Sequence, residues 1–152
     1  MPRTVSRVIL ALLAATAAQL GLWATFAPRS FYEDFPGGGR HWVATDGPYN
    51  EHLVRDFGAL NLALAFLLIV ALVHLTPVLV RTAAISSLLF AVPHFVHHAR
   101  HLDTFTASSD KVTNMVLLGL AIGGPVVLLL LDGVFERSAP AQSTSKVPPA
   151  RQ

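Results

Sequence analysis

The chain has 152 residues, of which 53% are hydrophobic and only 13% charged, with a mean hydropathy of +0.54. A soluble domain of this size carries roughly a quarter charged residues; here the shortfall falls in long uninterrupted stretches, which argues against a water-soluble globule and for lipid as the solvent. A net charge of +2 without any basic run gives no footing for nucleic acid, and the lack of cysteine removes disulfides, thiolate metal sites and cysteine nucleophiles together.

A bilayer core of roughly 30 Å needs about 20 apolar residues in a helix. The first such stretch, 8–27, follows Arg3 and Arg7 and stops at Pro28. Ala15, Thr16 and Ala17 after a short apolar run resemble the end of a secretory signal peptide. The apolar run nevertheless continues through Gly21, Leu22 and Trp23 to Phe26, longer than a signal core, so a retained anchor is expected. Ala14 with Ala18, and Ala17 with Gly21, mark a small-residue face for close helix approach. Gln19, in mid-span, is expected to find a partner within the bundle.

The connection 29–47 carries Phe31, Tyr32, Phe35 and Trp42, with Tyr49 just beyond. This pattern reads as an interfacial aromatic belt, or alternatively as a lid folded over the bundle. Gly37, Gly38 and Gly39 form a flexible joint within it. Pro48 is expected to be an early helical residue capped by Asp46 or Gly47. Glu51, His52, Arg55 and Asp56 then occupy the outer turns of the second helix, whose apolar stretch, 57–76, ends at Pro77 with His74 at the interface.

The third stretch, 78–96, is apolar apart from Arg81 and His94, and the fourth, 112–131, is closed by Asp132 and Gly133. Pro93 and Pro125 are expected to bend these two helices, and Gly119 with Gly123 forms a GxxxG pair on the fourth. The tail 138–152, rich in Pro, Ser, Ala and Gln, reads as disordered. The expectation is an all-α integral membrane four-helix bundle over 1–137, with an extracytoplasmic loop between its first two spans. Arg3 and Arg7 before the first span against Arg29 after it place both termini in the cytoplasm and the chain in the plasma membrane.

One constellation carries chemistry. At about 100° per residue, His94, His97, His98 and His101 fall within an arc of roughly 100° on one helix, with Ser87 and Phe90 extending that face inward. Neutral imidazole is the commonest nitrogen ligand for metals, and pairs at i, i+3 or i, i+4 reach one ion. Antiparallel spans bring His52, Glu51 and Asp56 to the same end, with His41 in the loop nearby. The set suits zinc, iron, manganese or copper. A plainer reading competes with it: histidines solvated among headgroups, and Glu51–Arg55 and Asp56–His52 (or Asp56–Arg100) as surface ion pairs of little worth.

The segment His94-Phe95-Val96-His97-His98 resembles the HxxHH box of membrane fatty-acid hydroxylases and desaturases, which use a di-iron centre. That family spreads its ligands over several such boxes and this chain has a single one, so the assignment is rejected. A bis-histidine haem would draw on His52 and His94. The four-span layout, with Gly47-Pro48-Tyr49-Asn50-Glu51-His52-Leu53-Val54-Arg55-Asp56 leading into Phe57-Gly58-Ala59-Leu60-Asn61, resembles small actinobacterial membrane proteins of unknown function and is loosely similar to DoxX-type four-helix proteins. The resemblance implies membrane location and no particular activity.

The functional expectation is an accessory or assembly subunit with a metal site at the extracytoplasmic face, self-associating or bound to a membrane partner. The alternative is a metal-dependent membrane oxidoreductase or hydrolase, with His94, His97, His98, His101 and His52 as ligands and Glu51 or Asp56 as general base.

Overall fold

The computed structural model describes the backbone of residues 2–138 and the side chains of 3–131; the tail expected to be disordered lies, from 139 on, outside the described residues. Among the described residues the regular structure is helical apart from one small hairpin. Helix α1 spans Pro2–Phe26 and short α2 spans Pro28–Asp34; strands β1 (Pro36–Gly37) and β2 (Arg40–His41) follow. Then come α3 (Glu51–His74), α4 (Pro77–Arg100), a 3₁₀ turn at Leu102–Thr104, and α5 (Ser108–Ser138). Four of the helices are long and apolar enough to cross a membrane: Arg3–Phe26, Glu51–His74, Pro77–Arg100 and Ser108–Leu131.

Each helix boundary has a local cause. Pro28 lacks an N–H and restricts the residue before it, so α1 ends and Ala27 leaves the helical region (φ −134°, ψ 59°) while Pro28 opens α2. The start of α3 lies three residues later than the expected Pro48. Asn50 is the N-cap, its side chain accepting from the Leu53 N–H at 3.1 Å, and Tyr49 packs its ring on Tyr32 at 5.2 Å, upstream of the helix. Leu75 in the left-handed conformation (φ 49°) ends α3, and Thr76 caps α4 with Pro77 in its first turn, so two residues reverse the chain. Pro93 and Pro125 both sit inside continuous helices.

The inward line of α1 is Ser6, Leu10, Ala14, Ala17, Gly21 and Ala24, a helical spacing throughout. It meets Val54, Gly58, Asn61, Ala65, Leu68 and Ala71 of α3 in the most extensive interface of the molecule. A Cβ added at Gly21 would stand 2.8 Å from the Leu62 backbone nitrogen, and one at Gly58 would stand 2.6 Å from that of Thr25. The two backbones therefore touch, and the expected small-residue face of the first helix is the one in use. The second interface joins α4 and α5; α3 with α4, and α1 with α5, meet less.

Two clusters make the interior. Leu10, Ala14, Ala17, Ala65, Leu68, Ala71, Val80, Ala83, Ala84 and Leu128 fill the half where α3 passes into α4. Ala24, Phe31 and Val54, with Trp23, Phe35, Tyr49 and Phe57 against them, fill the opposite end. Outward faces carry large apolar side chains, among them Leu12, Phe66, Val78, Leu89, Leu120 and Leu130.

Two packing expectations change. Gln19 does not turn into the bundle: the inward positions of α1 are taken by Ala17 and Gly21 on either side of it, and Gln19 is exposed on the outer face with no partner among the described residues. Gly119 and Gly123 likewise make no helix contact, since an added Cβ at either would meet nothing within 4 Å; the adjacent Gly124 packs instead, against Ile9 and Leu13.

Candidate functional site at the capped end of the bundle

The segment between α1 and α3 folds over one end of the bundle. Gly38 and Gly39 join the two strands with φ of +68° and +75°, the pair of positive values that a tight hairpin turn demands. The expected flexible joint is thus the turn of a small hairpin. Its following residue, Trp42, is 5% exposed and packs edge-on against Phe105 in the α4–α5 connection, ring centroids 5.7 Å apart. Edge-on and tilted aromatic contacts continue from there: Trp42 to Phe35, Phe35 to Phe31, and Phe31 to both Trp23 of α1 and Phe57 of α3. The aromatic residues of this loop therefore hold a cap on the helices, with Phe31 and Trp42 buried in it.

Polar contacts pin the cap at its rim. Arg40 Nε lies 3.1 Å from Asp110 Oδ1 at the start of α5, with its guanidinium over the Trp42 ring. Tyr32 donates its hydroxyl to the Gly47 carbonyl at 2.7 Å, Trp23 donates its indole N–H to Ser30, and Ser30 donates to Asp34. Arg55 donates to Glu51 and to the Thr25 carbonyl, tying the start of α3 to the end of α1. Desolvation and the Glu51 carboxylate raise the Tyr49 phenol above its ordinary pKa, with Arg29 and Arg55 acting against them.

Beneath the cap the three histidines of α4 and His101, which follows it, divide into two pairs. His98 is 8% exposed and His94 is half-buried, their rings edge-on at 4.7 Å; His94 also stacks on Phe90 at 5.3 Å and lies near Phe57. His97 and His101 are exposed and stack on each other at 4.4 Å, and His101 Nδ1 bonds to the His97 carbonyl. The spacing puts the four on an arc of roughly 100°, wide enough to straddle the edge between the buried and the exposed face, and the helix itself ends at Arg100, so they form no single cluster.

The remaining candidates stand apart from the inward pair. His52 is exposed and 3.4 Å from Asp56, and Glu51 is 2.8 Å from Arg55, so each acid faces an i, i+4 partner on the surface of α3. His41 bonds through Nδ1 to the Glu33 carbonyl within the cap, and His74 is exposed at the opposite end of α3. Among the described residues no three His, Cys, Asp or Glu side chains gather as a metal-holding group.

The sequence reading missed one buried polar residue at this end, Asn114. Asn114 is 6% exposed and its Oδ1 has no partner; Trp42 Nε1 and His98 Nδ1 are likewise buried and unpaired. An indole N–H only donates, an amide oxygen only accepts, and an imidazole nitrogen does either. Buried polar atoms are nearly always satisfied by protein, water or ligand, so the partners of these three groups lie outside the contacts described. The Asp46 carboxylate bears electrostatically on both His94 and His98 from the cap. The signal for Asn114 was present in the sequence: a lone amide inside the apolar run 112–131, one turn after Asp110.

No protein-family model, curated protein or solved structure matches the chain.

Proposed function

We propose that this chain is a multi-pass plasma-membrane protein, both termini cytoplasmic, that serves as a non-enzymatic accessory or assembly subunit with its capped end outside. The observation that carries the reading is the division of its surface. Large apolar side chains face outward along all four long helices, whereas the aromatic cap and, among the described residues, the unpaired buried polar atoms lie at one end. A bundle that presents hydrocarbon-compatible flanks and a structured, aromatic-capped end is suited to meeting a partner or solute at that end. The resemblance in layout to small four-helix membrane proteins agrees with the membrane location and carries no activity. The lack of cysteine makes the test clean. Single Ala107→Cys and His74→Cys variants sit at opposite ends of the bundle; in intact cells an impermeant maleimide is expected to label the first and not the second. Labelling of both, or recovery of the chain from washed cells without detergent, overturns the reading.

A second reading, a metal-binding role at the capped end, is favoured by one observation: His98 is buried with Nδ1 unpaired, edge-on to His94. The ligands would then be the inward pair His94 and His98, with the exposed His97, His101 and His52 outside the coordination sphere. Zinc, iron(II), manganese and copper are each to be supplied to detergent-purified protein and the bound metal measured. A stoichiometric ion lost in His98→Ala and kept in His97→Ala supports the site; no ion retained by the unmodified protein ends this reading and the metalloenzyme alternative with it.

A further inference from the structure

Helix α1 buries one face against α3 and α5 and leaves the other open. Its inward residues run Ser6, Leu10, Ala14, Ala17, Gly21 and Ala24; at about 100° per residue Gln19 points nearly opposite to that line. The outer face is Val8, Ala11, Leu12, Ala15, Gln19 and Leu22, all exposed. Gln19 lies 4.5 residues from the midpoint of the Arg3–Phe26 span, about 7 Å along a helix, whereas half a hydrocarbon core is about 15 Å. In the membrane orientation proposed above, on which this inference rests, an amide with two N–H donors and a carbonyl acceptor therefore faces lipid at a depth where water does not reach.

We propose that two copies of this chain pair side by side through this face of α1, with the two Gln19 amides hydrogen-bonded to each other. Three features select a second copy as the occupant. An amide is self-complementary, so one residue type satisfies itself across a two-fold axis, as an isologous contact requires. Copies inserted with the same topology bring Gln19 to the same depth without any adjustment. Ala15 and Ala11, one and two turns before Gln19, are small enough to let the backbones approach until the amides meet. A different protein would need its own polar group at that depth and azimuth.

The absence of native cysteine again simplifies the test. In lipid vesicles of phosphatidylcholine, Ala15→Cys is expected to form a disulfide-linked dimer on mild oxidation, and Val116→Cys on the outer face of α5 is not. Donor- and acceptor-labelled protein, diluted in the same lipid, reads the dimer constant. Gln19→Leu is expected to weaken it about 3- to 30-fold, the range for one interhelical side-chain hydrogen bond. Gln19→Asn should retain most of the association, and Ala15→Leu should abolish it by holding the backbones apart. Dimer loss in Gly119→Leu with none in Gln19→Leu would assign the contact to α5 and overturn the proposal. So would a chain that inserts correctly yet stays monomeric at every dilution. A chain that fails to insert instead refutes the membrane reading on which both rest, and the cysteine-labelling experiment identifies that case.

Discussion

Helices α1 and α5 both carry small-residue pairs at helical spacing, and the α1 pairs are packed against a neighbour while the Gly119–Gly123 pair of α5 is not. Ala14, Ala17, Gly21 and Ala24 of α1 lie against α3 so closely that Gly21 and Gly58 occupy places where a Cβ would strike backbone. Gly119 and Gly123 of α5 form the more familiar spacing, and both look outward with open space around them. The difference is one of reciprocity. Gly21 on α1 is met by Leu62, and one turn away Gly58 on α3 is met by Ala24 and Thr25, so each helix supplies a notch for the other's main chain. Nothing on α4 or α1 offers that to Gly119 or Gly123; the glycine that α5 does place against α1 is Gly124. A small-residue motif on one helix is half of a contact, and the informative half is the notch on its partner.

The sharpest way to break this contrast is Gly58→Val. The first carbon alone would lie 2.6 Å from the Thr25 nitrogen and 3.0 Å from the Ala24 carbonyl carbon, both main-chain atoms with nowhere to move. The helices must part along the seam, and overpacking of this kind costs about 3 kcal/mol or more. Reversible unfolding in mixed detergent micelles is expected to show that loss, together with faster proteolysis of the α2 segment, since Arg55 ties α3 to the end of α1 just beside the contact.

Gly21→Ala tests the same seam more gently. Two of the three nearest atoms to the added carbon belong to the Leu62 side chain, which can rotate aside, while the Leu62 nitrogen at 2.8 Å cannot. A cost of about 1–2 kcal/mol is expected in the same unfolding measurement. A value near zero would mean that the seam has slack, and that the asymmetry between the two glycine motifs is one of position only.

How much of this was legible in the sequence follows from what each feature depends on. The long helices are read from hydropathy over about 20 residues, a sum that no single contact can reverse. The apolar stretches are shorter than the helices that carry them, since hydrogen bonding continues into polar turns, as α4 shows in running on to Arg100; the start of α3 was read three residues early, because Asn50 and not Asp46 or Gly47 is the cap. The loop between the first two spans was readable as a belt or as a lid, and the choice depends on Trp42 meeting Phe105, a contact between residues far apart in the chain that periodicity does not encode. The histidines fall between these cases. Their common arc was readable from spacing, but the rotation of α4 about its axis decides which of them is buried. That rotation is set by Ala83, Ala84, Ser87 and Ala91 packing inward, which puts His98 on the same line and turns His97 and His101 away.

The smallest expected effect has the opposite sign and completes the comparison. Gly119→Ala adds a methyl group into open space, so no steric term opposes it. Glycine in a helix interior costs about 0.5–1 kcal/mol relative to alanine through backbone entropy, and that amount should appear as a gain in the stability of the isolated chain. The same substitution in α1, at Gly21, loses stability because contact with α3 outweighs propensity there. Measured side by side, the pair separates the two roles of a membrane-helix glycine: a notch that another backbone fills, and a gap that nothing within this chain fills. A destabilising Gly119→Ala would show that α5 has a neighbour on its outer face under the conditions of measurement. Repeating it at increasing dilution in lipid then decides whether that neighbour is a second copy, because only a copy is lost on dilution.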